Sequence, residues 1–217
     1  MLQDERDLMV ITGISAIFIL VALSQSIGMI YAAMALFFGI YLNQKKARII
    51  EFTKGKSEVG KAIFYSFIGL MGFTAVAAIV LGSQEAFVAA VTTFASAFLV
   101  NFTIDNFLIR FVVFGFFVPV VETLFFFGVV YPFLLKHSRA TNTLNDTNTL
   151  VSIAMVAGIA TAFHFVVRLL NDQSLLADLV FFGSSAAVVT AQGEMSGAAL
   201  MHIGMNSFAM GKIGGII

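Results

Sequence analysis

Pro119-Val-Val-Glu122-Thr-Leu-Phe-Phe-Phe-Gly128-Val-Val-Tyr-Pro132-Phe-Leu-Leu135 places a single carboxylate in an otherwise apolar run. A run of this composition reads as a helix in lipid. An ionised glutamate there costs about 2.5–3.5 kcal/mol even on insertion scales, so Glu122 marks a functional site by default. Its partners are sought among the polar groups expected at similar depth: His164, Arg168, His202 and Asn206.

Working outward, the composition sets the class. Of the 217 residues, 59% are hydrophobic and 11% charged, where soluble domains carry roughly a quarter charged residues. Mean hydropathy is +0.98. The chain is therefore expected to be an integral membrane protein. Two prolines against a long series of apolar runs favour helices over a barrel of short alternating strands. The length allows a single all-α domain, a polytopic transmembrane helical bundle of about eight helices. Net charge is zero, so nothing favours nucleic acid. The absence of cysteine removes disulfides, thiol nucleophiles and thiolate metal sites. Six of the twelve basic residues fall in the loop 43–61, which the positive-inside rule assigns to the cytoplasm. The acidic start lacks a basic n-region, so Leu8 onward reads as a retained first span.

Residues 1–85 form the N-terminal helices, with runs at 8–23 and 27–42 separated by Ser24-Gln25-Ser26 and a clear span at 62–82. The first two carry no charge between Leu8 and Leu42 and read as scaffold. Region 86–117 is expected to hold one span at about 86–103 and then a re-entrant or interfacial piece leading to Pro119. The Glu122 helix would then start near Phe117, putting Glu122 about one turn inside it. Further spans are expected at 150–170, 175–191 and 195–213, with Gln192-Gly193-Glu194 as a turn. No internal repeat or low-complexity tract is evident.

His164, near the end of a helix antiparallel to that of Glu122, is expected at a matching depth. His202 and Asn206, spaced i, i+4, share a helix face. A simple antiparallel layout leaves His202 roughly 10 Å from Glu122 along the membrane normal. A tilted helix at 175–191, or a turn at 192–194 that dips inward, would close that gap. A buried carboxylate beside an imidazole suits general-base activation of water, and an imidazole with an amide suits stabilisation of an oxyanion. Glu and His also suit zinc, but HExxH is missing.

These residues resemble a family. Glu122-Thr-Leu-Phe-Phe-Phe-Gly128 is similar to the Glu-Glu-x-x-x-Arg-Gly segment of the CAAX-type intramembrane proteases and bacteriocin-processing proteins (CPBP or ABI family). His164 is similar to the histidine of that family's Phe-x-x-x-His motif, and His202-Ile-Gly-Met-Asn206 matches its His-x-x-x-Asn. Thr123, Phe127 and Ala160 stand where the family has Glu, Arg and Phe. The resemblance covers about 118–212. It implies that residues 118–217 form a four-helix catalytic core acting as a metal-independent endopeptidase on a peptide or membrane-protein substrate, with no cofactor. In it Glu122 and His164 activate water, while His202 and Asn206 hold the oxyanion. Arg168 and Arg110 are candidates for the missing cation. The altered motif positions also admit a catalytically inactive relative serving as membrane scaffold or immunity-type interaction protein, and a buried Glu–His pair admits a proton-coupled transporter.

Overall fold

Among the described residues each apolar run folds as a helix, because a helix satisfies its backbone N–H and C=O groups within the run itself. The computed structural model describes residues 2–23, 27–42, 59–83, 85–86, 107–168 and 172–213. Among them every regular element is helical: α1 (Leu2–Leu23), α2 (Ile27–Leu42), α3 (Val59–Leu81), α4 (Phe107–His137), α5 (Thr147–Arg168), α6 (Asp172–Gln192) and α7 (Ser196–Ile213). Four of these, α3 to α6, contain segments long and apolar enough to cross a membrane. Residues 24–26, most of the basic loop 43–61 and the span expected at 86–103 lie outside the described residues.

The burial pattern of α3 is the reverse of a water-soluble helix. Its inward positions are mostly small (Ala62, Ser66, Gly69 and Ala77, with Phe73), while Ile63, Phe64, Phe67, Ile68 and Ile79 face out. Small residues let helix backbones approach closely where lipid, not water, covers the outside. Gly69 shows this directly: a Cβ there would stand 2.6 Å from Val188 Cγ2 and 2.8 Å from Met201 Sδ.

The structure corrects the expected start of the Glu122 helix. In place of an interfacial piece before Phe117, α4 is continuous from Phe107, and Glu122 lies fifteen residues from each end of Phe107–His137. Two π-helical turns interrupt it, at Val113–Phe117 and Phe126–Val130. Their cause is a repeated hexapeptide that pattern reading overlooked: Phe114-Gly115-Phe-Phe-Val-Pro119 and Phe127-Gly128-Val-Val-Tyr-Pro132. Each proline lacks an N–H and would press its ring on the carbonyl four residues back. In both hexapeptides that position is glycine.

Side-chain pairings give the relative directions. α7 runs antiparallel to α4, as Asn206 meets Phe114 and His202 meets Glu122. α2 runs parallel to α4, with Tyr31 at Glu122 and Phe37 at Phe125. α5 is antiparallel to α4, with His164 at Glu122 and Ser152 bonded to Ser138 beyond the α4 end. Asp7 on α1 meets Lys136 at 2.6 Å. The start of α1, the C-terminal end of α2 and the loop 138–146 therefore share one end of the bundle.

Candidate functional site

Glu122 sits where four helices converge on the middle of α4. Its carboxylate is fully buried. Oε1 faces Nε2 of His164 from α5 at 3.1 Å, and Oε2 faces Nε2 of His202 from α7 at 3.1 Å. Tyr31 from α2 donates its hydroxyl to Oε1. On the far side of the first imidazole, His164 Nδ1 lies 2.8 Å from Oδ2 of Asp178 on α6. The His202–Glu122 and His164–Asp178 contacts are both at ion-pair distance without the alignment of a hydrogen bond. Among phenylalanine rings such charges are tolerable only because they face one another, since an isolated buried ion is far costlier than a paired one.

The structure supplies the inward turn that would bring His202 to Glu122. The α6–α7 turn is drawn into the protein: Glu194, Met195 and Ser196 are buried. Met195 Sδ lies 3.3 Å from where a Cβ on Gly128 would stand, nine residues or about 13 Å short of the end of α4. From there the seven-residue step from Met195 to His202 climbs to the level of Glu122. A buried turn must find its own hydrogen-bond partners. Gly193 adopts φ +74 and donates to the Val189 carbonyl at 2.8 Å. Gln192 bridges the turn, accepting from Gly197 N at 3.0 Å and donating to Ser196 Oγ at 2.8 Å. Nearby, Tyr131 pairs with Thr190 at 2.6 Å.

Asn206 stands apart from the carboxylate. Its Nδ2 donates to the Phe114 carbonyl at 3.0 Å, leaving one amide hydrogen uncommitted. The bond has a local origin. In the π-turn, Val118 N–H goes to Val113 O, and the next donor in line for Phe114 O would be Pro119, which has none. His202 Nδ1 and Asn206 Oδ1 are buried without a hydrogen-bond partner among the described residues.

The candidate cations separate. Arg110 is twelve residues before Glu122 on the same helix, about 18 Å along its axis, and does not reach the carboxylate. Arg168 follows His164 by one turn, and its side chain lies outside the described residues. Phe127, at the motif position of the arginine, is buried against Phe182 with ring centroids 6.4 Å apart. Thr123 and Ala160 are also fully buried. Among the described residues no three His, Asp or Glu side chains are grouped as metal ligands.

Two members of the cluster escaped the sequence reading. Tyr31 lies on a helix read as scaffold, and no local pattern distinguishes it. Asp178 carried the same signal as Glu122, an acid inside an apolar run, and was absorbed into a span. No family model, curated protein or solved structure matches the chain.

Proposed function

We propose that the chain is a polytopic membrane protein of about eight helices that hydrolyses a peptide bond in or near the bilayer without a metal, as the CPBP-type proteases it resembles do. The eighth helix of that count is the span expected at 86–103, which lies outside the described residues. The loop 43–61 faces the cytoplasm, and with it the start of α1 and the loop 138–146. The substrate is a peptide or membrane protein.

The observation that carries this reading is the pair of histidines on the two oxygens of one buried carboxylate, delivered by two different helices. In the proposed reaction Glu122 takes a proton from water while His164 orients that water, and the oxygen attacks the peptide carbonyl. His202 and the remaining N–H of Asn206 donate to the oxyanion. The tetrahedral intermediate collapses with cleavage of the C–N bond, and the amine leaves with the proton from Glu122. General-base catalysis of this kind contributes roughly 10²–10⁴-fold, and one oxyanion donor about 10²–10³-fold. Tyr31 and His164 both face Oε1, so a water that uses this oxygen must displace one of them.

One observation favours a second reading, a catalytically silent membrane scaffold or interaction protein: both carboxylate oxygens and the Asn206 amide already face partners within the chain. A quenched-peptide assay on purified native protein, Glu122→Gln and His164→Ala decides between them. The hydrolase reading expects turnover by the native chain and a loss of at least about 10²-fold in each variant. Equal turnover in native and Glu122→Gln protein rules out the base, and a folded but inactive native chain supports the silent relative.

A further inference from the structure

His164 is held from both edges of its ring and across one face. Glu122 stands at Nε2 and Asp178 at Nδ1, 3.1 Å and 2.8 Å away, and all three side chains are essentially buried. Phe182, one turn beyond Asp178 on α6, stacks on the imidazole with centroids 4.9 Å apart and planes at 28°. Phe163 and Phe126 close in at 5.5 Å and 6.4 Å. One helix thus supplies both an edge contact and a face contact to the same ring. Rotation of the imidazole would force it against these three phenylalanines.

A carboxylate accepts and does not donate, so each ring nitrogen that faces an ionised one must carry a hydrogen: with Glu122 at Nε2 and Asp178 at Nδ1, both nitrogens of His164 are donors. Histidines that act as bases or ligands are commonly oriented by a third group in this way. We infer that Asp178 is the positioning residue of the cluster, fixing a proton on Nδ1 of His164 and so presenting Nε2 to Glu122. The charge of Asp178 also offsets any positive charge that His164 acquires. This inference rests on the arrangement of Glu122, His164, Asp178 and Phe182 and holds whether or not the cluster hydrolyses peptide bonds.

The test uses the full-length protein in lipid nanodiscs. The chain has three histidines, so selective nitrogen-15 labelling yields three imidazoles, assigned with His137→Gln and His202→Gln. The expected result is a His164 Nδ1 with the shift and one-bond coupling of a protonated nitrogen, and with a proton displaced downfield by its carboxylate partner. In Asp178→Leu the Nδ1 proton is lost while Nε2 keeps the one it directs at Glu122 and the His137 signal stays in place. Asp178→Asn keeps the shape and an acceptor oxygen but removes the charge. There Nδ1 stays protonated and its proton moves upfield. An unchanged His164 pattern in folded Asp178→Leu overturns the inference. Should the leucine variant fail to fold, an Nδ1 proton at the native position in Asp178→Asn overturns it equally. Loss or absence of peptidase activity bears on the hydrolase reading and leaves this readout untouched.

Discussion

Asn206 Nδ2 donates to the carbonyl of Phe114 at 3.0 Å, tying α7 to the π-turn that Pro119 imposes on α4. Asn206→Ala strands that carbonyl and is expected to cost about 1–3 kcal/mol. In a Pro119→Ala background residue 119 regains an N–H, and the same substitution should cost under about 1 kcal/mol. Denaturant unfolding of the four proteins of this cycle measures the coupling. An equal cost in both backgrounds would mean that Asn206 does not serve the carbonyl.

Tyr31 is expected to matter more than its place on an uncharged helix suggests. Tyr31→Phe removes a buried donor to the Glu122 carboxylate and should cost about 1.5–3 kcal/mol, the range for hydrogen bonds to charged groups. Unfolding midpoints of native and variant protein test this; a change within about 0.5 kcal/mol, typical of a surface site, contradicts it.

On α3 two glycines make opposite predictions. At Gly69 a Cβ would meet Val188 Cγ2 at 2.6 Å and Met201 Sδ at 2.8 Å, whereas at Gly72 nothing lies within 4 Å. Gly69→Ala should therefore destabilise by about 1–3 kcal/mol through overpacking. Gly72→Ala should be neutral or stabilise by up to about 1 kcal/mol, because alanine restricts the unfolded chain. Thermal unfolding of the two variants separates them.

The loop before α5 is expected to loosen in acid. Asp146 caps that helix, accepting from Asn148 N at 3.0 Å and Thr149 Oγ1 at 3.0 Å, and also from Thr141 N at 2.6 Å. These bonds, the Thr141 amide foremost, lower its carboxyl from 3.8 to about 2. Because the folded value is depressed, the stabilisation is complete above the unfolded value and lost as pH falls through the folded one. Protection of the Thr141 and Asn148 amides, taken relative to the intrinsic exchange rate at each pH, should therefore fall between about pH 4 and pH 2. In Asp146→Asn that pH dependence should vanish.

Much of this architecture is legible in the residues, for reasons that also explain the omissions. Long apolar runs announce α3, α5 and α6, because length and composition alone decide a helix in lipid. Glu122, His164 and His202 stand out because charge is rare in such runs, and the structure brings the three together. Asp178 has the same visibility but lies three residues into its run at 175–191, near enough to the turn to pass as part of it. Tyr31 has no sequence signal, since a tyrosine at membrane depth is ordinary until its partner is known. The depth of Glu122 was misjudged because Pro119 resembles a helix start. In fact the helix continues through Pro119 by way of the π-turn at Val113–Phe117.

The two π-turns give α4 an adjustable length. A bond from residue i to i+5 closes a turn holding one residue more than an α-turn, so losing one residue within Val113–Phe117 or Phe126–Val130 relaxes that turn to α geometry. Side chains on either side then keep their faces. Losing one residue elsewhere in α4 rotates everything beyond it by about 100°, carrying Glu122 away from His164 or Gly128 away from Met195. In evolutionary terms, α4 has two joints at which a residue can be gained or lost, and the carboxylate lies on the rigid segment between them.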